Sequence, residues 1–430
     1  MKKFIVLSYF VLAASATASA QLGNFANKVK NKVNSKVTQR VDSKVDKKID
    51  ETLDVSEGKG SEANEIAVSE STKAASTENV IKSSSRFDFV PGELIIYADD
   101  FADDVTGALP VNWNTNGTGE IVSLDKIPGK WLRLHKQFTY LSRNTKEFGE
   151  NYTVEFDLVL QLKSNGWMYP EIFFGMFSSK DETNTGNAFL KDQNKYASVN
   201  TKVYPAEYKG SRANLKSYLE TKSYYSSENK SYGDLEKYYG KPVHVSIQVQ
   251  KERMRVWINQ EKLFDAPKAI PAGVVMNQLF FEVSHTNYSE DQYGVYVGNI
   301  KIATGKPDTR HKLVEEGKFS TTGILFDVNA ATIKPESNGV LKELADVLAK
   351  YPDIKINIVG HTDSDGSDAA NLELSKKRAA AVREALTIDF SIDAARMEAD
   401  GKGEAESVGD NKTKEGKAQN RRVEFIKKAP

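Results

Sequence analysis

The chain of 430 residues contains no cysteine. Disulfides, thiolate metal sites, cysteine nucleophiles and lipid attachment through an N-terminal cysteine are therefore excluded. Histidine is scarce, with 5 scattered residues, too few and too dispersed for a His-rich metal centre. There is no excess of either charge: 59 Lys+Arg face 59 Asp+Glu. That balance argues against nucleic acid as the main partner, because phosphate binding needs a basic surplus. No run reaches the ~18 apolar residues of a spanning helix. A mean hydropathy of −0.50 likewise excludes a bundle of such helices. The length suggests two or three domains at roughly 150 residues each.

The N-terminus has the pattern of a secretory signal. Lys2 and Lys3 precede the short apolar run Phe4 to Ala13, and Ala18-Ser19-Ala20 forms a small-residue cleavage site before Gln21. Residues 1–20 are thus expected to direct export. Residues 21–54 carry a repeat of period four, with Phe25, Val29, Val33, Val37, Val41, Val45, Ile49 and Leu53 in register and lysines interleaved. On a helix such a stripe advances about 40° per repeat and winds around the axis, which suits a left-handed coiled coil poorly. Two readings of residues 25–53 remain. One is a helix lying on an anionic membrane surface; the other is a solvated spacer, favoured by the shortage of aromatic anchors. Residues 55–85 are rich in Ser, Glu, Lys, Ala and Thr and have no aromatic residue, the composition of a flexible linker.

From Arg86 the texture changes to period-two alternation. Tyr152, Val154, Phe156, Leu158, Leu160 and Leu162 share one face, with Thr153, Glu155, Asp157 and Gln161 on the other. Val243 to Val249, Met254 to Ile258 and Leu279 to Val283 repeat the pattern, and Asn259-Gln260-Glu261-Lys262 reads as a turn. Such alternation predicts half-buried strands with one face in a core and one in water. The opening Phe87-Asp88-Phe89-Val90-Pro91-Gly92, then Tyr97-Ala98-Asp99-Asp100-Phe101, and the late strand-turn-strand Arg255 to Phe264 carry a resemblance. They resemble the concanavalin A-like jelly rolls of lectins and glucanases over residues 86–304. The resemblance implies an all-β sandwich; a glycan or an outer-membrane protein is the partner expected of it. A transmembrane barrel also alternates in this way, but would require Ser178 to Gly240 to be loop.

A linker, 305–317, leads to a final α/β segment, 318–430. Gly323 to Phe326 reads as a short strand. Pro335 opens a helix with Leu341, Leu344, Ala345 and Leu348 on one face, and Pro352 closes it. Ile354, Ile356 and Ile358 alternate as a strand. A second helix from about Asp368 to Leu386 directs Leu372, Ser375, Ala379, Val382 and Leu386 inward. Val423 and Phe425 mark a last strand.

After the middle strand comes Gly360-His361-Thr362-Asp363-Ser364-Asp365-Gly366, followed by Asn371, Leu374-Ser375 and Arg378-Ala379. Further on stand Gly401, Gly403-Glu404, Asn411, Thr413, Gly416, Ala418 and Asn420-Arg421-Arg422-Val423-Glu424. Asn371 and Arg378 lie almost two helical turns apart, on one stripe. An acid at Asp363 and an arginine at one mouth suit a zwitterionic ligand, the carboxylate taking an ammonium and the guanidinium a carboxylate. These motifs resemble the OmpA-like peptidoglycan-associated domain. The resemblance implies a small βαβαβ-type fold and no cofactor. It further implies noncovalent binding of the diaminopimelate side chain of the peptidoglycan stem peptide, in the periplasm of a diderm bacterium near the outer membrane. Asp363 would receive the ammonium and Arg378 the carboxylate. Asn371, Arg421 and Thr362 would position the peptide, and Asp327 and Asn329 would line the rim. Arg422 is expected to brace the fold and His361 to be a hydrogen-bonded loop residue. The alternative for a lone Asp363 and Arg378 is a helix cap and a surface ion pair. Lys417, where the family often has Arg, and Val408, where it often has Pro, depart from the pattern.

Other signals are weaker. Asp363 to Asp368 has its glycine at the fourth position, where an EF-hand needs it at the sixth. Glu155-Phe156-Asp157 echoes half a glucanase carboxylate strand, but Leu160 and Gln161 stand where the last acid belongs, so a solvated strand face is expected and no hydrolysis. Trp113, Trp167, Trp257 and the tyrosines from Tyr218 to Tyr239 are candidates for a sugar-stacking platform or for core. Three functional readings follow: a non-enzymatic wall anchor, a wall-anchored glycan hydrolase, and a porin-like barrel with a periplasmic tail.

Overall fold

A computed structural model describes residues 87–429 apart from 112, 143, 145, 165 and 181–184. The expected signal, period-four helix and flexible linker lie outside the described residues. The described residues from Leu94 to Thr304 form sixteen strands. These are β1 (Leu94–Asp99), β2 (Asn114–Thr115), β3 (Gly119–Leu124), β4 (Ile127–Leu134), β5 (Phe138–Leu141), β6 (Asn151–Leu162), β7 (Ile172–Ser178), β8 (Ala197–Tyr204), β9 (Arg212–Leu219), β10 (Lys222–Ser226), β11 (Lys230–Ser231), β12 (Pro242–Gln250), β13 (Arg253–Ile258), β14 (Glu261–Ala266), β15 (Gln278–Val283) and β16 (Tyr293–Thr304).

They make two eight-stranded sheets. One runs β14-β13-β12-β6-β16-β4-β3 with β1 beside β16; the other runs β10-β9-β8-β7-β15-β5-β2 with β11 beside β9. The apolar halves of the alternating strands meet between the sheets. Phe156 packs edge-on against Phe174 and Phe281 with ring centroids 5.1 and 5.0 Å apart. Each such buried side chain contributes about 1.5–3 kcal/mol by leaving water. Both sheets are open, ending in edge strands, so the described residues form no closed barrel. The polar stretch Ser178 to Gly240 is not loop: it supplies β8 to β11 of the second sheet. The turn after β13 is tighter than expected. Asn259, at φ 51°, and Gln260 close a two-residue hairpin whose β14 already begins at Glu261.

The stretch 305–317, read as a linker, carries a helix, α1 (Thr309–Val314), capped by the Asp308 side chain on the His311 amide. The C-terminal sheet consists of β17 (Lys318–Thr321), β18 (Ile356–His361), β19 (Met397–Gly403) and β20 (Val423–Lys427), in the order β17-β20-β18-β19. Only β18 and β19 are parallel, joined by α3 (Asp368–Ile388). The first strand ends at Thr321; Gly323 to Phe326, expected as strand, makes a single bridge from Phe326 to Ile333 instead. A short 3-10 turn at Pro335 leads into α2 (Asn338–Lys350). Leu341, Leu344, Val382, Ile358 and Phe425 form the core between helices and sheet, while Leu372, expected inward, is 40% exposed.

Glycine sets how closely α3 approaches the sheet. A Cβ on Gly360 would stand 2.3 Å from the Ser375 carbonyl, and one on Gly401 would stand 2.3 Å from the Lys376 amide. Neither neighbour is a flexible side-chain tip. Gly360→Ala is therefore expected to lower stability by about 1–3 kcal/mol through forced backbone movement, measured by urea unfolding; an unchanged midpoint would contradict this packing.

The sandwich and the C-terminal domain touch through α4 (Lys414–Asn420) lying on β1. Lys414 reaches Asp99 at 2.6 Å and Asp104 at 2.7 Å. The Gln419 side chain accepts from the Ile95 amide and donates to the Glu93 carbonyl. Ala418 packs with Ile95, Ala98 and Ala303 in a small apolar cluster.

Candidate functional site

A cavity of about 400 Å³ opens between the C-terminal domain and the outer face of the first sandwich sheet. All seven residues expected at the site line it or border it. Asp363, Thr362, Asn371, Arg378 and Arg421 are wall residues, as are Asp327 and Asn329, which are both exposed.

The loop after β18 carries Asp363 into the wall. Asp363 does not cap α3, since Ser367 does so by accepting from the Ala370 amide. Instead its carboxylate accepts from the Asp365 amide at 3.2 Å and from Arg421 at 2.5 Å. Asn371, on the first turn of α3, donates to the Asp363 carbonyl at 3.2 Å and to Glu404 at 2.7 Å. One bond goes to the loop and the other to Glu404 just after β19, which makes Asn371 a support for Asp363. Two helical turns on, Arg378 stacks over Phe326 at 4.9 Å and donates through Nε to the Ala330 carbonyl. Burial draws the Arg378 guanidinium below its ordinary range; Asp363 opposes that shift and Arg421 adds to it. Arginine stays charged regardless.

Beneath the loop, Arg422 is buried and braces the fold by donating to Glu424 at 2.9 Å and to the Glu406 carbonyl. His361 is not a loop residue. It ends β18, its ring is buried without a hydrogen bond, and Nε2 lies 3.5 Å from Glu424. Burial acts to raise Glu424, but His361, Lys318 and Arg422 outweigh it and hold the carboxyl well below the usual range.

Several participants escaped the sequence reading. Asp100 of the sandwich faces Arg421 at 3.7 Å, and Lys417 pairs with Asp365 at 2.8 Å. Asp100 and Glu404 both sit within quoted motifs, but nothing in a linear sequence shows what they meet. The largest correction concerns Glu155 and Asp157. They were expected on a solvated strand face, yet they are 2% and 4% exposed because the C-terminal domain covers them. Asp157 accepts from His244 at 2.7 Å and from Asn299 at 2.8 Å, and Glu155 pairs with Lys301 at 2.9 Å. The three tryptophans do not gather into one aromatic platform. Trp113 and Trp257 are core residues, hydrogen-bonded to Asp99 and Asp88, whereas Trp167 is exposed.

Burial alone would lower His244, but Asp157 and then Glu155 raise its pKa to about 9. Its folded value therefore exceeds the ordinary 6.5, so the stabilisation is complete below about 6.5 and lost as pH rises through about 9. Melting curves should show the wild type losing stability between pH 6.5 and 9, and His244→Gln should lack that slope. Equal slopes would remove the charged pair from the account.

Residues 325–421 match the OmpA family. Outer membrane porin F of Pseudomonas aeruginosa is 44% identical over 101 residues, covering 24% of this chain and 29% of the relative. The probable lipoprotein YiaD of Escherichia coli is 45% identical over 102 residues, 24% of this chain and 46% of its own. The chain thus spans less than half the length of either relative. Among solved structures, the peptidoglycan-associated lipoprotein from Burkholderia pseudomallei is 32% identical, covering 25% of this chain and 89% of that one with a TM-score of 0.23. Residues 325–421 of this chain are an OmpA family domain.

Proposed function

We propose that this is an exported, non-enzymatic cell-envelope protein of a diderm bacterium. Its C-terminal domain holds peptidoglycan noncovalently in the periplasm, near the outer membrane. The ligand is the free amino-carboxyl end of diaminopimelate in the stem peptide. Asp363 receives the ammonium and Arg378 the carboxylate, and Thr362, Asp327 and Asn329 border the entry. The observation that carries the reading is the convergence on one cavity of Asp363 and Arg378, both residues of the OmpA family domain. Arg421 does not block this, because each carboxylate oxygen of Asp363 keeps a second lone pair for an ammonium. Relatives of the domain include outer-membrane proteins and lipoproteins, which supports an envelope location.

The hydrolase reading is disfavoured by charge. A glycosidase needs one carboxylic acid with a raised pKa. Burial acts to raise Glu155 and Asp157, but Lys301 and His244 outweigh it and hold both below the ordinary range. The test is sedimentation of the full-length chain with purified sacculi. Wild type should pellet and Asp363→Ala should stay in solution. Wild type remaining in the supernatant would defeat the proposal.

A further inference from the structure

The sandwich is more than cargo carried by an anchor, since its outer sheet forms the opposite wall of the same cavity. The strands β6, β12 and β16 bring Asp157, His244 and Asn299 together there, with Glu155 and Lys301 alongside. A mixed-charge cluster on an outward sheet face would normally stand in water. Here the C-terminal domain covers it without filling the space. Lys334, from the segment before α2, lies near enough for its field to act on Asp157 across that space.

Polar atoms without hydrogen bonds stand on both walls. On the sandwich side, His244 Nε2 makes no hydrogen bond to a described residue; its ion-pair partner Glu155 stands 3.6 Å away, beyond hydrogen-bond distance. On the C-terminal side, the buried hydroxyls of Thr322 and Thr362 have none. A buried polar group left unpaired is destabilising, so such atoms around one cavity point to a polar ligand that meets both walls. The volume of about 400 Å³ lies within the roughly 300–1,000 Å³ of small-molecule sites, more than an amino-acid end group requires. The atoms that continue from a zwitterionic end bound at Asp363 and Arg378 are those of the peptide itself. A peptide offers alternating N–H donors and carbonyl acceptors, matching what remains once His244 Nδ1 and Asn299 Nδ2 have bonded Asp157: His244 Nε2, the Asn299 carboxamide oxygen and the threonine hydroxyls.

We propose that the sandwich wall at His244 and Asn299 is a second subsite, which binds the peptide backbone adjoining the zwitterionic end. This rests on the function proposed above. The experiment is isothermal titration of the full-length chain with three probes: free diaminopimelate, a sugar-free stem tripeptide ending in diaminopimelate, and the same peptide carrying its disaccharide. The variants are His244→Gln and Asn299→Gly; glycine keeps the positive φ of 52° at that position while removing the carboxamide.

Wild type should bind the tripeptide more tightly than the free amino acid. Each variant should reduce tripeptide binding about tenfold, the equivalent of roughly one hydrogen bond, and leave free diaminopimelate unchanged. Unchanged amino-acid binding also shows that the variant is folded. Equal weakening of both probes, or of neither, overturns the subsite. An effect confined to the disaccharide-bearing probe overturns it too, since the wall would then read sugar. If the wild type binds none of the three, the peptidoglycan reading itself falls and the subsite with it.

Discussion

Replacing Arg378 with alanine should release the chain from sacculi. Its aromatic stacking and the Nε bond to Ala330 fix the plane of the guanidinium. Its terminal nitrogens make no hydrogen bond to any described residue, so the fork is oriented and unspent, the state required for bidentate capture of a carboxylate. Truncating one partner of such a desolvated pair costs about 2–5 kcal/mol, roughly a 30- to 5,000-fold loss, which carries a micromolar interaction into the range from tens of micromolar to millimolar. Arg378→Lys keeps the charge but not the fork and should fall between the two. Arg383→Ala serves as the control on the same helix, because Arg383 is exposed and bonds the Ala394 carbonyl away from the cavity. Titration with a diaminopimelate-containing peptide reads all three. Retention of wild-type affinity by Arg378→Ala would remove the carboxylate half of the site.

The second large effect is expected at Lys414→Met, where the two domains lock. Asp99 is 2% exposed and holds Lys414 and Trp113 together. Burial pushes its carboxyl up, with Lys414 pulling the other way. Burial likewise acts to lower Lys414, but Asp99 and Asp104 outweigh it and keep the ammonium above its ordinary range. Removing the lysine leaves an ionised carboxylate among neutral donors, at a cost of about 3 kcal/mol near pH 7. In the variant the folded pKa of Asp99 lies above its unfolded value, so the protonated form favours the fold and the deficit shrinks as pH falls. Urea unfolding at pH 7 and pH 5 should show the larger loss at pH 7. The double variant Asp99→Asn, Lys414→Met should recover part of it, as a coupled pair requires. A deficit that is the same at both pH values would show that Lys414 acts through packing of its stem and not through charge.

The readable parts of this chain were those in which information is local. The i, i+3, i+4 spacing of Leu341, Leu344, Ala345 and Leu348 was enough to place α2, and the Gly360 to Gly366 loop followed by Asn371 and Arg378 was enough to locate the cavity wall. Two element errors arose where local and tertiary signals compete. Gly323 to Phe326 is apolar and strand-like, yet it leaves the sheet at Thr321 to bridge Ile333. Leu372 has the right period for the buried face of α3 but stands at the exposed flank beside the loop.

The sequence alone determined the two kinds of layer, the strand alternation, the helix faces and the charged residues of the C-terminal motif, because each depends on neighbours within a few positions. Only the tertiary structure decided that Glu155, Asp157 and His244 leave water and face Asp363 and Arg378, and that Asp99 and Asp100 meet Lys414 and Arg421. Period-two alternation separates a polar face from an apolar one, but a polar face covered by another domain has the same pattern as one covered by water. The Asp99–Lys414 contact joins residues 315 positions apart. Nothing local encodes such a pairing; it exists only once two separately folded surfaces have been brought together.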